Sequence, residues 1–576
     1  MRYIFTLVLL FGTYLLAAQH SNTNTQDALC LQHATVVDVK NGKLIPDQHV
    51  IIESGRIKTI GPAKKIRVPA DIPVLDCTGK YLMPGMTDAH IHFFQSGSLY
   101  TRPDALDLRA VYPYEKDQQW IKDNLPDLMA RYLACGITTV VDVGGPFSNY
   151  AIRKKLENDT HAPVAWVTGP LVSTYQPDNL DEKDPPIIKV SSPEEARALV
   201  RKQLPYQPDF IKIWYILRSK ESAAADLPIV QAAIEESHAH GIRVAVHATE
   251  HQTALLAVKA GADMLVHSVD DQVLNKEMLQ LMAQRKVAYI PTLTVLQNYK
   301  RTFSQQFAFT SHDFAYANPF ALGTVMDIAH LGKALPFNYK ALRTVYPVPG
   351  KEDSIMAINL KLAQDAGVLV VAGTDAGNIG TQHGASFYHE LLAMQKAGLT
   401  NKQILQAATI NAAKAFGKDS VYGSIEPGKW ADLLVLNNDP FQDVNIAAHL
   451  HTVIRHGKTV RPDQLLPVSP EILAQQQLNA YNARNLEAFL APYSDSVKIY
   501  RFPNQLMMQG KEAMRQQYGE MFKRLPDLHC RLVSRMVQGN TVIDQESVTG
   551  MGDKPVSAIA IYQVEKGKIV TVTFIQ

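Results

Sequence analysis

The sequence predicts an α/β protein built on a (β/α)8 barrel, with a small β-sandwich and a separate C-terminal α+β domain. Eight apolar segments with strand character alternate with helical stretches over residues 84–373. β-rich segments broken by turns flank this region on both sides, and the composition changes again after residue 467. Strands that alternate with helices in this way are typical of parallel α/β folds.

The eight strand candidates begin with the segment that contains His90 and His92. The other seven are short apolar runs at residues 138–142, 165–168, 210–213, 244–247, 264–267, 287–290 and 369–373. Eight strands, each followed by a helical stretch, predict a TIM-type barrel over residues 85–422, and a doubly wound open sheet is the competing architecture. The largest insertion, residues 295–351, precedes the last strand, and we expect it to shape or cover the mouth of the barrel.

The two flanks of this region predict one small β-sandwich. Residues 29–84 contain short β-rich runs separated by turn residues such as Asn41-Gly42 and Ser54-Gly55. Similar strands and turns return within residues 423–465. A sheet domain built from both flanks of the barrel explains why the same pattern occurs twice.

The N-terminus is typical of a secretory signal peptide over residues 1–18. Arg2 precedes an apolar run at residues 3–16, and Ala17-Ala18 follows it. The run is shorter than the roughly 20 apolar residues that span a bilayer, although an uncleaved anchor is the alternative. We therefore expect a periplasmic or secreted protein without a membrane span after cleavage.

The charge balance favours a small-molecule substrate. The chain has 57 basic and 55 acidic residues, so its net charge provides no strong field for nucleic acid or an anionic membrane. Neither class of partner is expected.

Residues with metal-binding or acid–base side chains follow several of the predicted strands. His90 and His92 are two positions apart, so both imidazoles point the same way on a strand. Lys212, His247, His267 and Asp375 lie at or just beyond the ends of four other strand candidates. Because active sites of such barrels form at the C-terminal ends of the strands, we expect these six side chains at one rim.

The chain resembles the metal-dependent amidohydrolase superfamily over about residues 30–465, close to imidazolonepropionases and prolidase-like enzymes. The matching segments, in order, are PGMTDAHIH at 84–92, DFIKI at 209–213, VHA at 246–248, VHS at 266–268, GTDA at 373–376, HELL at 389–392, AGLT at 397–400, ATIN at 408–411 and GSIEPGKWAD at 423–432.

The resemblance implies two divalent metal ions, with zinc as the first candidate. His90, His92 and Asp375 would bind one ion, and His247 and His267 the other. Lys212 would bridge them as a carboxylated lysine, because crowding by cations lowers the pKa of its amine. A metal-activated hydroxide would then hydrolyse a C–N bond in a non-peptide amide, a cyclic amide or a small dipeptide, with Asp375 as general base.

Two other functions remain open. His247 and Glu250 have the HxxE spacing of mononuclear deaminases, in which Glu250 would move protons, so a mononuclear deaminase or cyclic-amide hydrolase is the alternative. A non-catalytic binding protein on the same fold is the third option. His383 and Tyr175, in loops after predicted strands, are further candidates for contact with substrate.

The C-terminal domain, residues 470–576, is similar to the nuclear transport factor 2-like family, which includes SnoaL-like and ketosteroid isomerase-like domains. A helix over residues 471–490 and strand-like segments near residues 496–501, 529–537, 541–548 and 559–574 are expected. The similar segments are YNARNLEAF at 481–489, YSDSVKIY at 493–500, GKEAM at 510–514 and AIYQVEKG at 560–567. The resemblance implies a cone-shaped domain that binds a ligand or forms a homo-oligomer.

Overall fold

The computed structural model describes residues 28–181, 183–219, 222–345 and 350–576. The predicted signal peptide lies outside these ranges. Within them the chain forms an α/β protein whose strands belong to sheets of eight, seven, six and three strands. A search of the described helices finds none that combines the length and the apolar character needed to cross a bilayer.

The N-terminal flank folds into five strands: β1 (Ala28–Asp38), β2 (Lys43–Glu53), β3 (Arg56–Pro62), β4 (Val74–Asp76) and β5 (Tyr81–Pro84). β1 and β2 pair antiparallel across the predicted Asn41-Gly42 turn. Gly42 has a φ of +63°, which glycine adopts without the strain that a side chain would cause.

The central region contains ten strands: β6 (Met86–Ile91), β7 (Ile137–Asp142), β8 (Val164–Val167), β9 (Leu171–Ser173), β10 (Ile187–Lys189), β11 (Ile211–Trp214), β12 (Val244–His247), β13 (Met264–Val266), β14 (Ala288–Ile290) and β15 (Leu369–Val370). Eight of them match the predicted strands, and the short parallel pair β9 and β10 was not predicted. β6 and β7 are buried along their whole length, as expected where helices cover a parallel sheet.

These strands form two parallel sheets, β6-β7-β8 and β10-β9-β11-β12-β13-β14-β15. Backbone hydrogen bonds join the sheets at both ends. The Asp209 amide donates to the Val167 carbonyl at 3.1 Å, and the Ala89 amide donates to the Ala372 carbonyl at 3.0 Å. The first and last parallel strands therefore lie side by side.

The helices of this region follow the strands: α1 (Tyr114–Ala134), α2 (Asn149–Leu156), α3 (Pro193–Gln203), α4 (Ser222–Ala239), α5 (His251–Ala260), α6 (Lys276–Arg285), α7 (Leu293–Ser304), α8 (Ser311–Tyr316), α9 (Pro319–Thr324), α10 (Ile328–Leu331), α11 (Tyr339–Val345), α12 (Lys351–Asp365), α13 (Ser386–Lys396), α14 (Asn401–Ala407) and α15 (Ile410–Ala415). Local sequence fixes several of their ends. Ser192 caps α3 by accepting a hydrogen bond from the Glu195 amide, with Pro193 at the first helical position.

The C-terminal flank returns to the first sheet through β16 (Leu433–Leu436), helix α16 (Ile446–His449), β17 (Leu450–Arg455) and β18 (Lys458–Val460). β16 pairs antiparallel with β5, so one sheet of the described chain, in the order β18-β17-β16-β5-β1-β2-β3 with β4 beside β1, joins both flanks. Arg455 and Asp432 form a buried ion pair, with nitrogen and oxygen 3.1 Å apart. Arg455 Nε also donates to the Ala162 carbonyl at 2.8 Å, and this hydrogen bond links the sheet to the central region.

The C-terminal domain comprises α17 (Pro470–Asn482), α18 (Leu486–Leu490), β19 (Tyr493–Arg501), β20 (Gln505–Gln509), α19 (Lys511–Arg524), β21 (His529–Gln538), β22 (Thr541–Thr549), β23 (Val556–Glu565) and β24 (Lys568–Ile575). Its strands form the sheet β20-β19-β24-β23-β22-β21. Alternating burial along β22 and β23 leaves one face of this sheet in a packed core.

The sequence-based boundaries in this domain were wrong in two places. The single helix expected over residues 471–490 is two helices, because Arg484 has a φ of +53° and Asn485 caps the next helix by accepting from the Ala488 amide. The strand expected over residues 559–574 is the hairpin of β23 and β24, which turns at Lys566 and Gly567, both with positive φ.

The insertion before β15 contacts two parts of the molecule. Helices α7 and α11 contribute side chains to the cavity at the C-terminal ends of the parallel strands. Helices α8 and α9 instead pack against the C-terminal domain, where Phe314 and Leu322 join its hydrophobic core. The Asn479 side chain also donates to the Pro319 carbonyl at 2.6 Å. The insertion thus links the central region to the C-terminal domain.

Candidate metal centre

The predicted metal ligands meet at a cavity of about 560 Å³ at the C-terminal ends of the parallel strands. Five of the six line it: His92, Lys212, His247, His267 and Asp375. The sixth, His90, is fully buried and is not part of the lining. The side chains come from β6, β11 and β12 and from the residues just beyond β13 and β15, so their convergence follows from the parallel arrangement of the strands.

His90, His92 and Asp375 form the most compact part of this cluster. Asp375 Oδ1 lies 3.3 Å from His90 Nε2 and 3.1 Å from His92 Nε2. His92 Nδ1 lies 2.7 Å from the Gly144 carbonyl oxygen, which can only accept, so Nδ1 carries the proton and donates. Nε2 of His92 is then left with a lone pair directed at Asp375 and available to a metal ion.

His267 connects this group to His247. The ring centroid of His267 lies 4.8 Å from that of His90 and 4.5 Å from that of His247. His267 Nδ1 is 2.8 Å from the Thr292 hydroxyl and 3.8 Å from Asp375 Oδ2. One potential ligand atom from each of His90, His267 and Asp375 lies within 4.8 Å of the others. The predicted ligands of both metal ions therefore belong to one continuous cluster.

The Lys212 side chain is buried among these groups. Only 1% of the residue is exposed, and among the described residues its Nζ has no hydrogen-bond partner. Burial lowers the pKa of Lys212 to about 7, although the Asp375 carboxylate opposes the change. A substantial part of the Lys212 population is then a neutral, nucleophilic amine near pH 7.

The charges of the cluster suit metal binding. Burial, followed by the nearby Lys212, lowers the pKa of His90 and of His247 well below the ordinary value, and burial with His247 does the same to His267. Neutral imidazole is the form that binds metals. Burial disfavours ionisation of Asp375, but the neighbouring His92, His267 and Lys212 side chains outweigh it and lower the pKa of Asp375 to about 2.

Unpaired buried atoms provide a separate test of whether a metal fits. Both ring nitrogens of His90, Nζ of Lys212 and Oδ1 of Asp375 are buried without a hydrogen-bond partner in the described chain. Such atoms cost free energy unless a ligand satisfies them. Because imidazole nitrogen and carboxylate oxygen are the usual donors to zinc and similar divalent ions, the donor set fits a metal centre.

Backbone strain occurs at the same place. His267, Thr292 and Asp375 have φ values of +74°, +44° and +62°, which side chains rarely adopt. The Asp375 amide donates to the His90 carbonyl at 2.7 Å, and this bond holds the left-handed conformation. Strain concentrated at three residues of one cluster is typical of a functional site.

The three substrate-contact candidates do not line the cavity. His383 is buried with both ring nitrogens engaged, Nδ1 with the Tyr132 hydroxyl and Nε2 with the Gln95 carbonyl, each at 2.8 Å. Tyr175 is 40% exposed, and the centroid of its ring lies 5.9 Å from that of Trp214, which lines the cavity. Glu250 accepts a hydrogen bond from Thr253 at 3.1 Å at the start of α5.

Sequence reasoning missed Asp88, which positions the cluster. Its buried carboxylate accepts from the Thr374 hydroxyl at 2.6 Å, from the Thr374 amide at 3.0 Å and from the His90 amide at 3.3 Å. Asp88 thus fixes strand β6 to the loop that contains Asp375. Its position two residues before His90 gave a clue, because alternate residues of a strand lie on one face.

Glu390 and Arg102 were also missed. Glu390 on α13 accepts from the Leu293 and Thr294 amides at 2.8 and 3.0 Å, and so holds the start of α7 next to Thr292. Arg102 lines the cavity and is paired with Asp104 at 2.5 Å, while its Nη1 donates to Asn378 at 2.6 Å. These contacts depend on loop packing, for which the sequence has no local pattern.

The rest of the cavity lining is mainly apolar. It includes Leu171, Leu180, Ile187, Trp214, Val295, Leu296, Phe303, Leu342 and Met356. The charged groups of this part of the lining are Arg102, which is paired with Asp104, and Asp270. Polar side chains outside the cluster include Thr249, Ser268, Tyr299, Asn338 and Asn378.

Comparisons with known proteins match both parts of the chain to families. The model of the amidohydrolase family matches residues 81–460, and the model of the SnoaL-like domain matches residues 474–572. An imidazolonepropionase of Geobacillus thermodenitrificans is 24% identical over 461 residues, which cover 73% of this chain and 91% of that protein. An uncharacterized protein of Mycobacterium bovis is 27% identical over 41% of this chain, and the matched segment spans about half of its length, 52%.

A solved structure extends the likeness to the fold. The crystal structure of a Xaa-Pro dipeptidase with bound methionine in its active site superimposes with a TM-score of 0.58 at 20% identity, over 75% of this chain and all of that one, 100%. The family model alone covers more than half of the sequence. The chain therefore belongs to the amidohydrolase family and has a SnoaL-like domain at its C-terminus.

Proposed function

We propose that the protein is a metal-dependent hydrolase of C–N bonds, acting on a non-peptide amide, a cyclic amide or a small dipeptide. One observation carries the proposal: nitrogen and oxygen donors from five strands converge at the base of one cavity, and several of them are buried without a partner. The dipeptidase and imidazolonepropionase likenesses support this choice of bond.

The two parallel sheets are proposed to form one (β/α)8 barrel. The hydrogen bonds from Asp209 to Val167 and from Ala89 to Ala372 support closure at both junctions. The sheet built from both flanks corresponds to the proposed β-sandwich. A barrel fixes the ends of its strands rigidly, which a preorganised centre requires.

Two divalent ions, zinc being the leading candidate, are proposed to bind. His90, His92 and Asp375 would hold one ion, and His247 and His267 the other. When bound, such ions polarise a carbonyl and lower the pKa of water to about 7. The Gly144 carbonyl keeps the Nδ1 proton on His92 and thereby keeps Nε2 free for the first ion.

Lys212 is proposed to bridge the ions after carboxylation. Its lowered pKa supports the neutral amine that adds to carbon dioxide, forming an N–C bond and losing one proton. The product has two oxygens, one for each side of the cluster. Burial of Lys212 would protect this modification from water.

Asp375 is proposed to move the proton. It is ionised and lies next to both halves of the cluster, so it can accept a proton from water and return it to the leaving nitrogen. Asp88 would position Asp375 through Thr374. The apolar lining of the cavity favours a substrate with an apolar group beside the scissile bond.

The mononuclear deaminase is the weaker proposal. In that enzyme Glu250 would exchange protons with the substrate, but here its carboxylate faces Thr253 and Glu250 is not part of the cavity lining. A non-catalytic role would not require the buried, unpaired Lys212. Both observations favour the hydrolase with a lysine bridge.

The metal content of the purified full-length protein tests this proposal. We expect about two zinc ions per chain after dialysis, and about one or fewer in Lys212→Ala, which removes the bridge. His238→Ala is the matched control, because His238 is exposed and pairs with Asp263 outside the cluster. Absence of metal from the wild-type protein after zinc addition would contradict the proposal.

A substrate panel distinguishes the two enzymes. Dipeptides, N-acyl amino acids and cyclic amides should be hydrolysed, whereas aminated heterocycles should not release ammonia. Ammonia release together with about one metal ion per chain would instead favour the mononuclear deaminase.

The C-terminal domain is proposed to form a homo-oligomer. Its sheet exposes apolar side chains that include Leu506, Met507, Val533, Met536 and Ile559, between 36% and 64% exposed. Burial of such side chains between two copies would be favourable. Light scattering of the wild type and of Met536→Lys would test this, since a monomeric wild-type protein contradicts it.

The enzyme is proposed to act in the periplasm or outside the cell. This rests on the signal peptide predicted over residues 1–18. The intact mass of the protein recovered from outside the cytoplasm would test it, because cleavage near Ala18 predicts loss of the N-terminal segment.

A further inference from the structure

A basal cavity of about 1140 Å³ lies at the N-terminal ends of strands β8 and β11, where the central region meets the sheet built from both flanks. Helix α2 and strand β8 line it from the central region. The turns β2–β3 and β17–β18, together with Trp430, line it from the sheet. The candidate metal ligands stand at the opposite, C-terminal ends of the parallel strands, and none of them belongs to this lining. The basal cavity is therefore separate from the centre described above.

Two tryptophans form an aromatic wall of the basal cavity. The indole rings of Trp166 and Trp430 are nearly parallel, with an interplanar angle of 8° and centroids 5.9 Å apart, and both residues are half-buried. Parallel rings with centroids this far apart are offset, so neither indole covers the whole face of the other. The Lys418 ammonium already lies over the Trp166 ring, 4.3 Å from its centroid. Trp430 is therefore the ring on which a flat ligand would stack.

The lining of the basal cavity contains more cations than carboxylates. Two of its arginines have carboxylate partners: Arg153 pairs with Asp209 at 2.8 Å, and Arg455 pairs with Asp432 at 3.1 Å. His456 also belongs to the lining, and burial lowers its pKa, so its imidazole is neutral at pH 7. These groups add no net positive charge to the cavity.

Three further cations of the lining have no carboxylate partner. Arg56, Lys154 and Lys458 form no ion pair with any residue that the structure describes. Arg56 Nη1 donates to the neutral Gly428 carbonyl at 2.8 Å, which restrains the guanidinium without compensating its charge. Glu157 is the one lining carboxylate outside the pairs with Arg153 and Arg455. A cavity lined by three such cations and one such carboxylate attracts anions.

The cations lie on both sides of the aromatic wall. Arg56 forms a short antiparallel bridge with Trp430, so the two residues are neighbours in the sheet. Lys458 follows the turn that contains His456, whose ring meets the Trp430 ring edge-on with centroids 6.1 Å apart. Lys154 lines the cavity from α2, in the central region. Exposed lysines bind a small anion weakly, but a ligand that also stacks on an indole gains a second contribution.

We propose that the basal cavity binds an organic anion, a carboxylate or a phosphate on a flat aromatic group. The ring stacks on Trp430, and Arg56, Lys154 and Lys458 provide the positive charge for the anion. A cationic ligand is disfavoured by the same three side chains. The site is formed by side chains of the central region and of the sheet together, and it depends on neither the metal ions nor the hydrolytic activity.

Calorimetric titration of the full-length protein with four matched compounds tests the proposal. Naphthoate and naphthylphosphonate have an anion on a flat ring, naphthylmethylamine has a cation on the same ring, and decalin carboxylate has the anion on a saturated body. The first two should bind, more weakly as sodium chloride is added, and the last two should not. Tighter binding of the phosphonate supports the site with a phosphate as the natural anion, and tighter binding of naphthoate supports it with a carboxylate.

Variants assign the binding to this cavity. The double variant Lys154→Glu/Lys458→Glu should weaken naphthoate binding about 10- to 100-fold, because repulsion replaces attraction at two exposed positions. Lys155→Glu is the matched control, since Lys155 is the next residue of α2, is also exposed and does not line the cavity. Trp430→Leu should weaken binding about 10-fold through loss of stacking. If Trp430→Leu does not fold, the comparison of naphthoate with decalin carboxylate still tests the role of the ring.

Three results would overturn the proposal. They are binding of naphthylmethylamine or decalin carboxylate as tight as that of naphthoate, equal weakening by Lys155→Glu and by the double variant, and naphthoate binding that is lost only in Lys212→Ala. The third would mean that the carboxylate binds at the metal centre. Absence of naphthoate and naphthylphosphonate binding by the wild-type protein would overturn it as well.

Discussion

The candidate metal centre and the core of the C-terminal domain both bury polar side chains, but the two regions differ in how far those side chains are hydrogen-bonded to one another. In the C-terminal core the Tyr562 hydroxyl donates to Glu546 at 3.0 Å and accepts from the Gln477 amide at 3.0 Å, while the Tyr493 hydroxyl donates to Gln477 at 3.2 Å. At the metal centre His90, Lys212 and Asp375 retain buried atoms without partners.

The difference distinguishes a structural network from a ligand site. Polar groups that satisfy one another stabilise a single packed arrangement. Polar groups that remain unpaired next to a cavity lower stability unless a ligand supplies the missing contacts. Substitutions in the two regions should therefore have different effects: loss of activity and metal in one, and loss of stability in the other.

The largest expected effect is that of Asp375→Asn on turnover. Asparagine keeps the shape of the side chain but cannot accept the proton, so kcat should fall about 10²- to 10⁴-fold. The melting temperature should change little, because Asp375 Oδ1 has no hydrogen-bond partner among the described residues that the substitution could remove. Steady-state kinetics on the best substrate of the panel gives the answer, and a near-native kcat would exclude Asp375 as the general base.

Arg535→Met should have the largest effect on stability in the C-terminal domain. Arg535 binds the fully buried Asp544 through two hydrogen bonds of 2.6 and 2.7 Å. Removal of the cation leaves a buried charge unpaired and should reduce the free energy of unfolding by about 3–5 kcal/mol. Denaturant titration measures this change, while metal content should remain that of the wild type.

Arg515→Met is the control for that variant. Arg515 pairs with Glu487, whose side chain is 71% exposed. The free energy of unfolding should change little, because an exposed ion pair is screened by solvent and contributes little to stability. Equal effects of the two substitutions would contradict the structural importance of the buried pair.

Glu546 should make the stability of the C-terminal domain depend on pH. Burial raises its pKa from 4.5 to about 7, although the Tyr562 hydroxyl opposes the shift. The folded domain thus retains a proton that the unfolded chain releases above pH 4.5, so the stabilisation is complete below that pH and is lost as the pH rises through 7.

Glu546→Gln should flatten this dependence, because glutamine stays neutral and still accepts from Tyr562. Melting temperatures between pH 5 and 8 compare the variant with the wild type. A wild-type melting temperature that rises across this range, with no difference from the variant, would contradict the assignment to Glu546.

The sequence predicted the convergence of the six candidate ligands better than the contacts that surround them. His90, His92, Lys212, His247, His267 and Asp375 follow strands of clear apolar character, and parallel strands bring their ends together. Glu390 acts through contacts made by the folded loops, so no local pattern identified it, whereas Asp88 had one local clue in its position two residues before His90 on the same strand. For the same reason the sequence did not show that His383 is enclosed by Tyr132 and the Gln95 carbonyl.

The same limit applies to the boundary between domains. The composition change near residue 467 predicted a separate C-terminal domain. The sequence did not show that α8 and α9 pack on that domain, because apolar residues of a short helix give no indication of their partner. The packing of the insertion on the C-terminal domain was therefore not predictable.

Anomalous diffraction at the zinc edge, from crystals of the full-length protein grown with zinc, tests the central claim most directly. The structural account predicts about two peaks per chain, one between His90, His92 and Asp375 and the other between His247 and His267. Continuous density should extend from Lys212 to both. A single peak, or peaks that avoid these side chains, would contradict the account of a lysine-bridged metal centre.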